Sequence, residues 1–415
     1  MAARAPDITP ATLQGWKGTH AGGEAPSTAN SLVDVSVVIP CLNEADTIAT
    51  CIEKAQRALR QNDLAGEVIV ADNGSTDASR EIAERLGARV VAVSQPGYGS
   101  ALMGGIEAAL GRYIIMGDAD DSYDFLELPK FVEKLREGYD LVQGCRLNSG
   151  GGTIKFGAMP FSHRWIGNPL FSFLVRRWFK APIHDVYCGL RGFTKSMYQR
   201  LGQRCTGMEF ATEMIIKASL YGHRISEVPI TLWPDGRKSH PPHLKTFRDG
   251  WRTLRFFLMS SPRWLFLVPG AILGLLGALG YVLAMPAMTI HGVTFDAHTL
   301  LFASLFILCG YQSVLFAVLA KTFAITQGLL PEDKLLNRFF QIVNLEKGLF
   351  ASAAGMLGGA LLLGWAVQIW VASGFGRLDY GVTMRLVVPG ATLVALGFQT
   401  ALSSFFISLL GLRRK

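Results

Sequence analysis

The feature that most constrains this chain is a series of four long apolar segments in its C-terminal part. Each has about the 20 residues that a helix needs to cross a hydrocarbon core of ~30 Å, and they are Trp264–Met285, Thr299–Ala320, Leu349–Ala372 and Leu386–Leu410. Residues 264–415 carry fourteen charged side chains, whereas the 263 residues before them carry fifty-eight. The sequence therefore predicts a water-soluble part at residues 33–243 and a membrane domain of four helices at residues 264–415.

The charges in the loops predict how the membrane domain is oriented. The loop at residues 286–298 has no Lys or Arg and the loop at 373–385 has two, whereas the loop at 321–348 has four and the last three residues are all basic. Because basic loops favour the cytoplasmic side, we expect a multi-pass protein of the inner (plasma) membrane. The soluble part and both termini would then be cytoplasmic. The four apolar segments contain no Lys, Arg, Asp or Glu, which argues against a proton or ion path.

The N-terminal residues argue against a signal peptide, and the net charge argues against binding to nucleic acid. Residues 1–32 are rich in Ala, Gly, Thr and Pro and lack the apolar core of a signal peptide, so we expect a disordered tail. The formal net charge of +8 suits anionic lipid headgroups or phosphorylated substrates. It is too diffuse to indicate binding to nucleic acid.

A cationic amphipathic segment at residues 244–263 joins the two parts. Its apolar residues recur at spacings of three and four, and they are Leu244, Phe247, Trp251, Leu254 and Leu258. Basic residues occupy much of the remaining surface, as is typical of a helix that lies in the headgroup layer. Residues His163–Lys180 have a similar composition. For both segments, packing inside the soluble domain is the alternative.

Within the soluble part, strand-like apolar runs alternate with helical patterns. The runs are Val35–Pro40, Glu67–Asp72, Ala88–Val93, Arg112–Asp118 and Asp140–Gly144. This alternation predicts an α/β fold with a mostly parallel sheet covered by helices. In such sheets, ligands bind at the carboxyl ends of the strands.

Acidic side chains follow three of these strands. Glu44 comes after the first strand, Asp72 ends the second, and Asp118 and Asp120 end the fourth. Carboxylates at neighbouring strand ends repel one another unless a cation lies between them, and Asp-x-Asp offers oxygen ligands for Mg²⁺ or Mn²⁺ on a diphosphate. Gly97-Tyr98-Gly99 partly resembles a dinucleotide-binding motif, but Leu102 stands where the third glycine belongs.

The order of these motifs resembles glycosyltransferase family 2, which has the GT-A fold, and in particular its polyprenyl-phosphate (dolichol-phosphate) hexose synthases. The resemblance covers about residues 33–240 and rests on VSVVIPCLNE, VIVADNGSTD, GYGSALMGG, YIIMGDADD and GCR. The later stretches DVYCGLRGF, GMEFATEM and EVPI also look like this subgroup. Processive polysaccharide synthases carry a Gln-x-x-Arg-Trp signature, and the comparable site at Phe161–Trp165 lacks the Gln.

The resemblance also implies roles for individual residues. The nucleotide sugar would contact Pro40, Leu42, Glu44, Asp72 and Asp118. The metal would be held by Asp118 and Asp120, and Ser122 stands where relatives often have a Gln. The acceptor phosphate would be bound by basic residues, of which the last two match the family only loosely: Arg146, His163, Arg164, Arg237 and Lys238. The catalytic group would comprise Asp120, Asp185 and Arg146, with either aspartate steering or deprotonating the acceptor.

By the same resemblance, we expect a metal-dependent, inverting transfer of one hexose from a nucleotide sugar to a polyprenyl phosphate. UDP-glucose is the favoured donor, and GDP-mannose is the alternative. A processive glycan synthase and a lipid-linked sugar translocase remain rival hypotheses. Glycine-rich faces such as Gly355–Gly359 suit helix packing within one chain or between two copies in a homo-oligomer.

Overall fold

The computed structural model describes residues 33–238, 246–342 and 344–411. The predicted tail at residues 1–32 therefore lies outside the described residues. The strands of the soluble part are β1 (Val35–Cys41), β2 (Gly66–Asp72), β3 (Arg89–Ala92), β4 (Tyr113–Met116), β5 (Leu141–Cys145), β6 (Thr153–Ile154), β7 (Arg191–Thr194), β8 (Ile225–Pro229) and β9 (Thr231–Leu232). Seven of them form one sheet in the order β3-β2-β1-β4-β7-β5-β8, and β6 pairs with β9.

The large sheet is mostly parallel, as the sequence predicts. β1 is buried along its whole length and pairs in parallel with β2 and β4. Such burial on both faces explains why β1 reads as a continuous apolar run. β7 was not predicted, and it lies antiparallel between β4 and β5. Its sequence, Arg-Gly-Phe-Thr, is too short and too mixed to show a strand pattern.

Helices cover both faces of the sheet. They are α1 (Ile48–Gln61), α2 (Ser79–Arg85), α3 (Tyr98–Ala108), α4 (Leu128–Arg136), α5 (Asn168–Phe179), α6 (Lys195–Leu201), α7 (Glu209–Leu220) and α8 (Thr246–Ser260). One apolar core joins α1, α2 and α4 to the sheet. A second core joins α3, α5, α6 and α7 to the opposite face, and it also includes Phe257 of α8.

The two segments predicted to be interfacial form a pair of packed helices. Phe257 of α8 is fully buried, and its ring lies 5.8 Å from that of Phe171 and 5.9 Å from that of Phe179 in α5. Trp178 of α5 stacks on Trp264 at 5.8 Å. One face of each helix therefore packs inside the protein, which is the alternative considered for both segments.

The other face of this helix pair is apolar and exposed. On α5 and the helical turn before it, the exposed large apolar side chains are Trp165, Ile166, Leu170 and Phe173. On α8 they include Trp251 and Met259. Of the stripe predicted for residues 244–263, the side chains of Leu244 and Phe247 lie outside the described residues. Large apolar side chains grouped on an exposed surface mark a contact with a membrane or with another protein.

Four helices among the described residues are long and apolar enough to cross a membrane, which confirms the predicted number. The first comprises a helical turn at Arg263–Leu267 followed by α9 (Val268–Ala284), and the others are α10 (Ala297–Thr326), α12 (Leu345–Ala372) and α13 (Tyr380–Gly411). A short hairpin of β10 (Thr289–Ile290) and β11 (Val293–Thr294) follows α9, and α11 (Lys334–Ile342) precedes α12. Sequence analysis did not predict α11.

Glycines allow these helices to approach closely. A Cβ atom added at Gly270 of α9 would lie 2.8 Å from the carbonyl oxygen of Gly310 in α10. A Cβ atom at Gly359 of α12 would lie 2.6 Å from the carbonyl oxygen of Gly390 in α13. Small residues at such contacts let backbones pack tightly inside a membrane. At least Gly359 of the predicted glycine-rich face thus packs within a single chain.

Candidate active site

The loops after β1 and β2 are held together by side-chain hydrogen bonds to the backbone. The Asp72 carboxylate accepts hydrogen bonds from the backbone N–H groups of Gly74 and Ser75, each at 3.2 Å. Asp77 accepts a hydrogen bond from the N–H of Ala45 at 3.0 Å, and the Ser79 hydroxyl accepts one from the N–H of Glu44 at 2.8 Å. Among the residues predicted to bind the nucleotide, Pro40 and Glu44 are buried, whereas Leu42 is exposed at the end of β1.

Asp118 and Asp120 follow β4 and line one cavity. The Tyr98 hydroxyl donates to Asp118 Oδ1 at 2.8 Å. The backbone N–H and the hydroxyl of Ser122 donate to Asp120 Oδ1, at 3.0 and 2.6 Å. Burial and, after it, the charge of Asp120 raise the pKa of Asp118 to about 6. The two carboxylates repel each other when both are ionised, and a cation bound between them would stabilise that state.

The donor atoms at this position fit a divalent metal. Mg²⁺ is typically bound by one or two carboxylates, and water and substrate phosphates complete its octahedron. Asp118 and Asp120 provide that number, and no group of three or more His, Cys, Asp or Glu able to hold a metal ion occurs in the part of the chain that the structure describes. The Ser122 hydroxyl already donates to Asp120. Its predicted role as a third ligand remains a prediction.

Arg237 contacts carboxylates from three loops. Its Nε donates to Glu44 at 2.8 Å, and its terminal nitrogens contact Asp120 and Asp235, each at 3.2 Å. Burial alone would lower the pKa of Arg237, but the hydrogen bond to Glu44 and the charge of Asp120 raise it. The sequence analysis assigned Arg237 to the acceptor phosphate, yet in this structure it contacts residues predicted to bind the nucleotide and the metal. Lys238 is exposed, and its backbone N–H donates to Asp46.

Arg146 is held rigidly by Asp185. Its Nε and one terminal nitrogen donate to the two carboxylate oxygens of Asp185, at 2.7 and 2.8 Å, and its backbone N–H donates at 3.0 Å. Another terminal nitrogen donates to the Tyr123 hydroxyl at 3.2 Å. Burial would lower the pKa of Arg146, but the adjacent Asp185 carboxylate raises it well above its usual value. Arg146 therefore keeps its charge, and it lines the same cavity as Asp118 and Asp120.

A second layer of hydrogen bonds fixes Asp185. Glu227 Oε1 accepts from the backbone N–H groups of His184 and Asp185, at 2.7 and 2.9 Å. The Gln143 amide donates to the carbonyl oxygen of Asp185 at 3.0 Å. Glu227 belongs to the Glu-Val-Pro-Ile stretch that resembles the family, for which the sequence analysis gave no role.

The cavity has a volume of about 340 Å³ and extends from the two aspartates to the helix pair. Five predicted site residues line it, namely Asp118, Asp120, Ser122, Arg146 and His163. Ala158, Met159, Pro160 and Phe171 form an apolar wall, and Gly250 and Thr253 of α8 also line the cavity. Arg164 is not among the lining residues, and its guanidinium lies 5.5 Å from the centre of the Trp165 ring. A polar, anionic end and an apolar end thus belong to one cavity.

Tyr98 and Tyr123 are site residues that the sequence analysis missed. Tyr98 belongs to the Gly-Tyr-Gly segment that partly resembles a dinucleotide-binding motif. Gly97 has a φ of +129°, and a Cβ atom there would lie 2.3 Å from the Thr206 carbonyl oxygen. A Cβ atom at Gly99 would lie 2.3 Å from the Cys205 carbonyl oxygen. The glycines therefore allow α3 to approach the segment before α7, and the tyrosine between them faces Asp118.

Comparison with known proteins gives the family. Residues 36–202 match Glycosyl transferase family 2, and residues 318–411 match the Glycosyltransferase family 2 C-terminal transmembrane region. The chain is 37% identical over 395 residues to the low-salt glycan biosynthesis hexosyltransferase Agl6 of Haloferax volcanii. The match covers 94% of this chain and 93% of that protein. It is 32% identical over 198 residues to a dolichyl-phosphate hexose transferase of the same organism. That match covers 48% of this chain and 82% of the relative.

Among solved structures, the chain is similar to glucosyl-3-phosphoglycerate synthase from Mycobacterium tuberculosis. The identity is 24%, the match covers 55% of this chain and 79% of that chain, and the TM-score is 0.43. The mostly parallel sheet covered by helices, followed by four helices long and apolar enough to cross a membrane, agrees with the architecture that the sequence predicts. The chain belongs to glycosyltransferase family 2.

Proposed function

We propose that the protein transfers a single hexose from a nucleotide sugar to a polyprenyl phosphate, with inversion at the anomeric carbon. The observation that carries this proposal is the single cavity that extends from Asp118 and Asp120 to the apolar wall beside α8. A water-soluble donor and a lipid acceptor can meet in such a cavity because one end suits a metal-bound diphosphate and the other lies at a membrane-facing helix pair. The names of the two Haloferax volcanii relatives support a hexosyl donor and, for the second, a dolichyl-phosphate acceptor.

The donor would lie over the carboxyl ends of β1, β2 and β4. Glu44 and Asp72 would contact the nucleoside, and Asp118 and Asp120 would hold Mg²⁺ or Mn²⁺ on the diphosphate. When bound, the metal would neutralise the negative charge that develops on the departing nucleoside diphosphate. Arg237 would assist on the same side, since it already contacts Glu44 and Asp120. UDP-glucose is the favoured donor by resemblance, and GDP-mannose is the alternative.

The acceptor would be bound by Arg146 and His163. A phosphate monoester has a second pKa of about 6 and is largely ionised at neutral pH, so it attacks without a strong general base. The main task is to bring two anionic reactants together in the right geometry. Arg146 suits this task because Asp185 and Tyr123 fix its guanidinium, and further donors remain for a phosphate oxygen.

We propose that the reaction takes place on the cytoplasmic side of the inner membrane. The basic loop at residues 321–348 and the basic C-terminus support this orientation. The exposed apolar face of α5 and α8 would lie in the headgroup layer. The isoprenoid chain of the acceptor would then remain in the bilayer while its phosphate enters the cavity beside Met159 and Thr253.

The direct test is to incubate the purified full-length protein with Mg²⁺, short polyprenyl phosphates and a panel of sugar nucleotides, and to identify the lipid product by mass spectrometry. We expect one hexose per lipid. Asp118→Ala and Asp120→Ala should abolish product formation, whereas Glu133→Ala, which changes an exposed carboxylate on α4, should not.

Other outcomes would overturn the proposal. Products with several sugars would indicate a processive synthase. Movement of preformed glycolipid across liposomes without consumption of a sugar nucleotide would indicate a translocase. Full activity in both aspartate variants would remove these residues from the reaction.

A further inference from the structure

The Gly-Tyr-Gly segment holds Tyr98 in a fixed position between two parts of the site. The backbone N–H of Gly97 donates to the side-chain oxygen of Asn73 at 2.7 Å, directly after β2. The backbone N–H of Ser100 donates to the Thr206 carbonyl oxygen at 3.2 Å. Tyr98 is therefore anchored on both sides through its neighbours, and its backbone has little freedom to shift.

The Asp118 carboxylate is confined from two directions. Oδ1 accepts the hydrogen bond from the Tyr98 hydroxyl at 2.8 Å. Oδ2 faces Gly189, where an added Cβ atom would lie only 2.4 Å from it. Oδ2 accepts no hydrogen bond from residues 33–238, 246–342 or 344–411. One oxygen is thus held by a neutral donor, and the other remains available.

Electrostatics explain why such a restraint is needed. Asp118 and Asp120 repel each other when both are ionised, and a carboxylate can relieve that repulsion by rotating away. Rotation would turn the available oxygen out of the position in which both aspartates can share a cation. A tyrosine hydroxyl, for which the ordinary pKa is about 10, restrains the carboxylate without adding a charge that would compete with the metal.

We infer that Tyr98 is a positioning residue that orients Asp118 for the divalent metal. The inference rests on the proposed function, since it takes Asp118 to be a metal ligand. Asn73 links this restraint to the end of β2, where the nucleoside is proposed to bind. One short segment therefore sets the position of the metal relative to the nucleotide.

The test measures Mn²⁺ binding to the purified full-length protein by electron paramagnetic resonance, without donor or acceptor. Tyr98→Phe removes only the hydroxyl, and we expect the affinity for Mn²⁺ to fall about tenfold, as for the loss of a hydrogen bond to a charged group. In assays of the proposed reaction, the metal concentration at half-maximal rate should rise similarly, while the rate at saturating Mn²⁺ stays near that of the wild type.

Tyr198→Phe is the matched control. Its ring stacks on Phe193 and lies 6.4 Å from that of Phe210, in a buried position that does not line the cavity. This variant should bind Mn²⁺ like the wild type. Gly189→Ala provides a second perturbation, because the added methyl group would push Asp118 from the other side. It should also weaken Mn²⁺ binding, and it keeps the inference testable if Tyr98→Phe folds poorly.

The outcomes separate this inference from the proposed function. If Asp118→Asn loses Mn²⁺ binding while Tyr98→Phe and Gly189→Ala bind like the wild type, the role of Tyr98 is wrong and the metal site stands. If Asp118→Asn binds Mn²⁺ as the wild type does, the proposed metal site itself is wrong.

Discussion

Asp185 engages Arg146 through both of its carboxylate oxygens, at 2.7 and 2.8 Å, and its own side chain has no exposed surface. A third bond, from the Arg146 backbone N–H, falls on the same carboxylate. A general base needs an oxygen within reach of the proton that it removes. Asp185 instead has its acceptor positions occupied by a cation that lines the cavity. This geometry favours a positioning role for Asp185 over the role of a base.

We expect Asp185→Asn to impair acceptor binding more than chemistry. The amide has one acceptor oxygen where the carboxylate has two, and it carries no negative charge. The Arg146 guanidinium would therefore lose a hydrogen bond and its counter-charge, and it should shift. The KM for a short polyprenyl phosphate should rise about tenfold, with a smaller fall in kcat. Steady-state kinetics would check this. A base would instead lose about 10²–10⁴ in kcat at an unchanged acceptor KM. Asp140→Asn, before the start of β5 at the opposite end of the sheet, is the control.

Arg237 is expected to compete with the metal when no donor is bound. Its guanidinium contacts Asp120 Oδ2 at 3.2 Å and repels a divalent cation at the same carboxylate. Arg237→Gln should therefore bind Mn²⁺ about threefold more tightly than the wild type in the absence of donor, while its affinity for the nucleotide sugar falls. Titrations by electron paramagnetic resonance would show both effects. Arg136→Gln, which changes an exposed pair with Asp34, should change neither, and weaker Mn²⁺ binding by Arg237→Gln would contradict the competition.

Metal binding should depend on pH through Asp118. Burial and the charge of Asp120 raise its pKa to about 6, so a proton competes with the metal below that pH. The Mn²⁺ affinity should fall by up to about tenfold for each further pH unit. Because the folded pKa exceeds the unfolded value, this group stabilises the metal-free protein below about pH 4 and loses that contribution as the pH rises through about 6.

Two measurements would check this dependence on pH. Mn²⁺ titrations across the range should show the acid limb, and thermal unfolding of the metal-free protein should show the loss of stability toward neutral pH. Asp118→Asn should remove the part of the stability change that is due to this group. An equal pH dependence in that variant would assign the effect to another residue.

The exposed face of α8 should matter only for acceptors in a bilayer. Trp251 is 61% exposed, and an indole at this position favours the headgroup layer. Trp251→Glu should lower the activity on long-chain polyprenyl phosphate in liposomes about tenfold. It should leave activity on a short, water-soluble acceptor unchanged. Leu110→Glu introduces the same charge at a site that is 62% exposed, before β4. Equal losses in both variants would argue against membrane contact by α8.

Local patterns in the sequence predict much of this fold. β1, β2 and β4 are recognisable as apolar runs that alternate with helical patterns, and the membrane helices are recognisable by length and lack of charge. β7 escaped prediction because it has four residues, one of them Gly192, and depends on β4 and β5 for its pairing. α11 was not predicted because it has only nine residues, and a short segment between two membrane helices resembles a loop.

The site was less predictable where its contacts are distant along the chain. Arg237 is separated from Glu44 by 193 positions and from Asp120 by 117, and no local pattern signals either contact. The sequence analysis missed Tyr98 because the glycines on either side of it partly resemble a dinucleotide-binding motif. Sequence patterns indicate which residues lie at strand ends, but only the folded chain shows which side chains meet.

The cavity wall formed beside α8 has a kinetic consequence for the proposed reaction. A donor arriving from solution searches three dimensions, whereas an acceptor reaching the same cavity along the bilayer searches two. The rate should then follow the mole fraction of acceptor among the surrounding lipids rather than its bulk concentration. Added inert phospholipid would slow the enzyme although every reactant stays at the same molarity.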